Sequence, residues 1–246
     1  MQTHARVVII GGGVVGCSIL YHLAKLGWKD VVLLERSELT SGSSWHAAGQ
    51  IHTISSDPNI SRLQGYTINL YKELEEVTGE SVGLHSPGGF YLASTKERLD
   101  YLKQERSKAR YMGLEQEMIT PEEAAAMNPL IDPKKYMGGL FDPLDGHIDP
   151  SAVTYAYAKA AKKLGASFYR NTPVLETNQL ADGSWDVVTP NGTINAEMLV
   201  NAAGLWAREV GRLSGVELPV QPMEHHYLIT EEIPNSAISG ISSVIK

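Results

Sequence analysis

Three glycines near the front of the chain constrain it more than any other feature. Gly11-x-Gly13-x-x-Gly16 follows the apolar β-branched run Val7-Val8-Ile9-Ile10 and opens residues 14–26, where Ile19, Leu20, Leu23 and Leu26 recur at helical spacing. Such a run reads as a strand buried on both faces, and Gly27 stops the helix. Val31-Val32-Leu33-Leu34 is a second buried strand, so strand, helix and strand make a βαβ unit. There the first glycine permits a tight turn, the second lets a pyrophosphate approach the backbone, and the third lets helix and strand pack closely. The free N–H groups and positive end of the helix then face phosphates, which assigns Gly11, Gly13, Val14, Val15 and Gly16 to a dinucleotide. Glu35 ends the second strand, where a carboxylate accepts ribose hydroxyls. An acid there fits NAD or FAD and disfavours NADP, and the motif does not choose between the first two. Cys17, behind the loop, reads as a small buried packing residue.

Beyond this unit the pattern stays that of an α/β chain. Residues 37–49 are small and polar. Helices are expected over residues 60–78, 96–111 and 151–164, with another starting at Thr120-Pro121-Glu122-Glu123, where Pro and acids suit a first turn. Residues 89–94 suggest a strand. The Pro- and Gly-rich residues 128–150 read as an irregular connection bordering a cleft, and His147 within it as a structural residue. Short strands near residues 167–169, 174–178 and 185–189, with turns at Asp182-Gly183 and Asn191-Gly192, form a β-meander. A separate buried strand over residues 198–202, a helix over 205–214 and a strand-like segment over 220–230 follow. Residues 241–246 alternate without a closing element, so the chain is expected to stop inside a domain.

Composition narrows the class. Hydrophobic residues are 43% and charged residues 20%, which excludes a disordered chain. With 21 Lys and Arg against 28 Asp and Glu the net charge is −7, and no basic cluster favours nucleic acid. The single cysteine makes no internal disulfide, no Cys/His spacing suggests a metal site, and a reducing, cytoplasmic setting is expected. Residues 1–6 and the uncharged residues 7–20 have the outline of a signal peptide, but the run is too short to span a membrane and the glycine spacing explains it better. No membrane partner is expected.

The choice of cofactor comes from Leu39-Thr40-Ser41-Gly42-Ser43-Ser44-Trp45-His46-Ala47-Ala48-Gly49, directly after Glu35-Arg36. Small and hydroxyl residues let backbone lie flat against a large ligand. This segment closely resembles the dimethylglycine dehydrogenase and sarcosine dehydrogenase family of D-amino-acid-oxidase-like flavoproteins. The resemblance implies FAD, with Arg36 and Gly42, Ser43, Ser44, Trp45, His46, Ala47, Ala48, Gly49 and Gln50 along it, and the flavin bonded covalently to His46. Val200-Asn201-Ala202-Ala203-Gly204-Leu205-Trp206-Ala207 resembles the family's returning strand, which adds Gly204 and Trp206. Thr172-Pro173-Val174 resembles the strand whose Val174 main chain pairs with adenine. Pro222-Met223-Glu224-His225-His226-Tyr227 resembles the P-x-x-H-x-Y of the amine site, which makes His225 and Tyr227 the catalytic candidates.

The implied fold is α/β: a Rossmann-type FAD-binding domain with a parallel sheet and β-meander (residues 1–80 and 146–216). A smaller α+β substrate domain with a mixed or antiparallel sheet accompanies it, incomplete at the C-terminus (residues 81–145 and 217–246). The implied reaction is hydride transfer from the N-methyl carbon of a small methylated amine to flavin N5, with electron-transfer flavoprotein or dioxygen as acceptor. Many family members add a C-terminal tetrahydrofolate-binding domain, which has no counterpart in these 246 residues. His225 suits amine deprotonation or substrate orientation, because imidazole exchanges protons near neutrality. The competing readings are an oxidase acting on another amino acid, a non-catalytic regulatory relative lacking the Trp-His pair, and an NAD-dependent dehydrogenase, for which residues 37–49 have no purpose.

Overall fold

The computed structural model describes residues 1–53, 55, 57–224, 226 and 231 and the strand Val244–Ile245. In chain order the elements are β1 (His4–Ile10), α1 (Val14–Lys25), β2 (Val31–Leu34), β3 (Gln50–Ile51), α2 (Pro58–Thr78), β4 (Gly89–Ala93), α3 (Lys96–Tyr111), β5 (Glu117–Ile119), α4 (Pro121–Met127), β6 (Gly138–Asp142), β7 (Gly146–His147), α5 (Pro150–Lys163), β8 (Ser167–Tyr169), β9 (Glu176–Gln179), β10 (Trp185–Thr189), β11 (Gly192–Asn201), α6 (Ala207–Leu213) and β12 (Val244–Ile245). They group into two compact units. One comprises Met1–Ala48, Glu73–Val82 and Asp149–His225, the other Gly49–Lys72, Gly83–Ile148 and His226–Lys246.

The first unit is built on a six-stranded sheet ordered β8-β2-β1-β11-β10-β9. β8, β2, β1 and β11 are parallel, and β10 and β9 extend the sheet antiparallel. The β-branched runs of β1 and β2 are buried throughout residues 7–10 and 31–34, as strands covered on both faces should be. On one side Val8, Ile10, Val32, Leu34, Val187 and Ile194 form one core. α1 packs against α5, with the Tyr21 and Tyr157 rings 5.7 Å apart. Asp149 starts α5 by accepting from the N–H groups of Ser151 and Ala152 at 2.8 and 3.0 Å, with Pro150 in the first turn.

Two sequence expectations change here. Residues 167–169, expected in the meander, are β8, parallel to β2 at the opposite edge of the sheet, and the meander is β9, β10 and the start of β11, which pairs antiparallel with β10 there and parallel with β1 at its end. Nor is its second half buried on both faces. Leu199 packs on the core while Met198, on the opposite face, is 42% exposed.

The second unit carries a four-stranded mixed sheet ordered β12-β4-β6-β5 and the short antiparallel pair of β3 and β7. α3 covers one face through Leu102 and Ala109 against Ala93 and Leu140. Phe90, Leu92, Ile119, Ala124 and Ile131 form a second cluster. Thr120 and Glu123 close a capping box on α4. Residues 128–150, expected to be irregular, hold a 3-10 turn, β6 and β7. Glycines that suggested a loop are there for close approach instead: a Cβ at Gly139 would lie 3.0 Å from Leu92 Cδ2 and 3.2 Å from the Tyr91 carbonyl oxygen. Of the strand expected over residues 220–230, residues 220–224 and 226 are not in a strand, and the remainder lies outside the described residues. Among the described residues no helix is long and apolar enough to cross a membrane.

Candidate cofactor site

The turn after β1 is shaped almost entirely by backbone. Gly11 sits at φ 117, a region closed to most side chains, and a Cβ there would strike the Ala202 carbonyl. A Cβ on Gly16 would collide with the Gly11 carbonyl oxygen, so the third glycine is what lets α1 lie against β1. Gly13 is the extended residue before α1, and only Ser44 Oγ, at 3.1 Å, would meet a Cβ there.

α1 begins with no side-chain cap and no acid in its first turn. The Val14 N–H donates to Ser44 Oγ at 2.9 Å, and the Cys17 N–H reaches the Gly13 carbonyl at 3.0 Å. The N–H groups of Val15 and Gly16 precede that first helical bond and have no helical acceptor by geometry. Val15 is 59% exposed. Glu35 is buried beside this start and accepts from the N–H groups of Gly12 at 2.6 Å and Ser37 at 2.7 Å. An uncapped helix start, a glycine turn and a carboxylate held by two backbone donors form a cradle for a dinucleotide: phosphates at the helix, ribose hydroxyls at the acid. Behind it Cys17 is fully buried, its thiol donating to the Gly12 carbonyl oxygen at 3.7 Å. Burial and, secondarily, the Glu35 carboxylate push that thiol from 9.0 up to about 12, so it stays protonated and inert.

Residues 37–48 fold as successive turns over the cradle. Thr40 takes φ 71 and donates its N–H to the Gly12 carbonyl at 3.1 Å. Trp45, His46 and Ala47 donate to the carbonyls of Thr40, Ser43 and Ser44 at 3.4, 3.2 and 3.3 Å. The Trp45 and His46 rings lie 3.7 Å apart, and Trp45 is 53% exposed. The Arg36 guanidinium stacks 3.8 Å over the Trp206 indole. A Cβ on Gly42 would come within 3.2 Å of that ring, so the glycine admits the stack.

The first unit therefore gathers Gly11, Gly13, Val14, Val15, Gly16, Glu35, Arg36, Gly42, Ser43, Ser44, Trp45, His46, Ala47, Ala48, Gly204 and Trp206. Val174 packs on its core. Gly49 and Gln50 belong to the second unit, Gln50 in β3. His225 and Tyr227 lie outside the described residues. Sequence reasoning overlooked Leu39 and Thr40 as the floor of the turn: a Cβ on Gly12 would lie 2.7 Å from Leu39 Cδ2. It also overlooked the Asn201 amide, which ties β11 to α6 by donating to the Ala207 carbonyl at 2.8 Å.

A family described as FAD dependent oxidoreductase matches residues 6–244. The chain belongs to that family. It is 48% identical to human mitochondrial dimethylglycine dehydrogenase over 94% of its own length and 27% of that protein, and 40% identical to human mitochondrial sarcosine dehydrogenase over 95% of its length and 26% of that one. It thus spans about a quarter of these relatives. Among solved structures it resembles L-proline dehydrogenase from P. horikoshii at a TM-score of 0.81 and 29% identity, covering 88% of this chain and 57% of that one. The cradle fits the cofactor in this family's description: the start of α1 has N–H groups that would hold a diphosphate, Glu35 a carboxylate that would accept ribose hydroxyls, and the residue 37–48 turns are small enough for a ring system to lie along them.

Proposed function

We propose that this chain is the cofactor-holding part of a flavoenzyme that oxidises a small N-methylated amine or amino acid. The substrates named in the dimethylglycine and sarcosine dehydrogenase relatives support this class. The observation that carries the proposal is the uncapped start of α1 beside a Glu35 carboxylate already oriented by two backbone donors. In this reading Gly11, Gly13, Val14, Val15 and Gly16 hold the diphosphate, Glu35 the ribose hydroxyls and Val174 the adenine, with Gly204 and Trp206 close to the cofactor. Ser43, Ser44 and residues 45–50 flank the flavin. FAD, when bound, would supply two-electron acceptance for a hydride equivalent leaving the N-methyl carbon.

The chain's own work is to bind, orient and handle a proton. The amine must be neutral, since its lone pair stabilises the iminium product. His225 holds the proton removed from the substrate ammonium, and Tyr227 orients the amine. His46 anchors the flavin covalently, with the Trp45 ring holding its imidazole. Electron-transfer flavoprotein or dioxygen takes the electrons. We place the protein in the cytoplasm on the single, buried thiol; the relatives' names say mitochondrial, and cell fractionation decides.

The visible absorption spectrum of the purified full-length protein tests the core of this reading. A flavin spectrum that bleaches with dimethylglycine or sarcosine supports it, and a colourless protein overturns it. Acid precipitation tests the anchor: flavin left wholly in the supernatant removes His46 from that role. Reoxidation of the bleached protein by air separates dioxygen from a protein acceptor.

A further inference from the structure

Three dipeptides in the chain join an acid or its amide to a glycine: Asp145-Gly146, Asp182-Gly183 and Asn191-Gly192. Such pairs are chemically vulnerable. With no Cβ beside it, the glycine nitrogen can reach the carbonyl carbon of the preceding side chain and close a cyclic succinimide. An asparagine expels ammonia in that step. An aspartate must first be protonated, because a carboxylate repels the nucleophile and has no leaving group. Water then opens the ring at either carbonyl and leaves aspartate or isoaspartate.

The structure closes two of the three pairs to this chemistry. Asp145 is buried, with Oδ1 accepting from the Thr53 N–H and Oδ2 from the Tyr91 hydroxyl, both at 3.1 Å. Gly146 is wedged against the His85 carbonyl oxygen, which a Cβ there would strike. Asp182 is exposed, but its Oδ1 accepts from the Ser184 hydroxyl at 2.7 Å and the Ser184 N–H at 3.0 Å. Those bonds, the hydroxyl first, hold its carboxyl below the usual carboxylate range, so it stays ionised. The Gly183 N–H, which would have to attack, is given to the Leu180 carbonyl at 3.0 Å.

Asn191 has neither protection. It is exposed, and an amide carries no charge to repel a nucleophile. Among the described residues its side chain makes one hydrogen bond, from Nδ2 to Thr172 Oγ1, and at 3.4 Å that bond is long. Gly192 is exposed at φ 117, and a Cβ there would meet nothing within 4 Å. What is held is the main chain: the Asn191 N–H donates to Thr189 Oγ1 at 3.2 Å, and that hydroxyl donates to the Gly192 carbonyl oxygen at 2.7 Å. The side chain is the movable part of the turn. Gly192 pairs with Thr189 as the last rung between β10 and β11, where local opening costs little. No other asparagine of the chain precedes a glycine.

We propose that Asn191 is a site of spontaneous modification: the Gly192 nitrogen bonds to its Cγ, the bond from Cγ to Nδ2 breaks, ammonia leaves, and water reopens the succinimide. The proton shed by the Gly192 nitrogen leaves with the ammonia, and the sum is one water consumed for one ammonia released. The product adds a negative charge at the end of the β10–β11 hairpin. Its isoaspartate form also adds a methylene to the main chain of a two-residue turn, which loosens the register there. This inference stands apart from the cofactor reading.

Incubation of the full-length protein in heavy-oxygen water at mildly alkaline pH, followed by peptide mass mapping, tests it. One heavy oxygen is expected at residue 191, split between aspartate and isoaspartate and accumulating several-fold faster than at any other asparagine. The rate should rise with pH, because the attacking nitrogen must lose its proton, and should rise again when the chain is unfolded in urea. At mildly acidic pH, where carboxyls begin to protonate, Ser184→Ala should raise labelling at Asp182 several-fold over the parent. Asn191 that stays unlabelled in the folded protein while reacting in urea, or that labels no faster than the other asparagines, overturns the proposal. Equal labelling of Asp182 in parent and Ser184→Ala overturns the protection assigned to Ser184.

Discussion

Around the turn after β1 the first unit arranges its polar groups with backbone: glycines that admit no Cβ, N–H groups at a helix start, and a carboxylate gripped by two more N–H groups. Around Thr53 the second unit does the reverse. Asp142 is buried and accepts from the Thr53 hydroxyl and the Gln116 amide, both at 2.6 Å, and from the Leu144 N–H at 2.9 Å. Asp145 is buried too and accepts from the Thr53 N–H and the Tyr91 hydroxyl, both at 3.1 Å. The backbone cradle leaves the Val15 and Gly16 N–H groups without a helical acceptor, whereas the side-chain network turns its bonds inward. One region is shaped to bind and the other to hold a scaffold, and buried polar groups of either kind are costly to leave unmade.

Substitutions should separate the two regions. The largest effect is expected for Gly16→Ala, whose methyl has only backbone to displace: flavin content should fall to nothing and stability by on the order of 3 kcal/mol. Normal flavin retention in that variant would show that α1 does not need its close approach to β1. Thr53→Val, which keeps shape and removes one donor to a buried carboxylate, should cost about 1–3 kcal/mol in denaturant titration while the cool, folded protein keeps its flavin. Flavin lost in step with stability would blur the contrast. Glu35→Gln should weaken FAD binding by roughly tenfold in apoprotein titration, with a smaller change in melting temperature. An affinity equal to the parent's would take the ribose away from Glu35.

The smallest expected effects are alkaline. Cys17 in the first unit and Tyr91 in the second both have raised pKa values, Cys17 through burial and then Glu35, Tyr91 through burial and then Asp145. A raised folded-state value contributes stability that is whole below the unfolded pKa and is lost as pH climbs toward the folded one. The Cys17 contribution should fade above about pH 9, across the window to about 12, and the Tyr91 contribution only above about pH 10. Native protein at pH 8 should resist a thiol reagent until unfolded. Rapid labelling of the folded protein would contradict the buried placement of Cys17.

How much could be read in advance follows the same division. β1, α1, β2 and Glu35 were legible because a glycine at a forbidden φ and a β-branched run mean nearly the same thing in any surroundings. The stack of Arg36 on Trp206 was not, because a ring's partner depends on where distant chain is brought. Residues 128–150 misled for the converse reason. Gly139 signals a turn locally, yet it serves packing between β6 and Leu92 on β4, a neighbour far away in sequence.

By itself the sequence determined the parallel βαβ frame, the glycine turn and the residue types that line it, since these depend on backbone sterics and on side-chain periodicity within a few residues. Tertiary structure alone decided that β11 joins the meander to the parallel strands, that Ser44 meets the first N–H of α1, and that β3 pairs with β7. Those depend on register between segments far apart in the chain, such as β1 with β11 and β3 with β7, and register is set by what the whole core can bury at once.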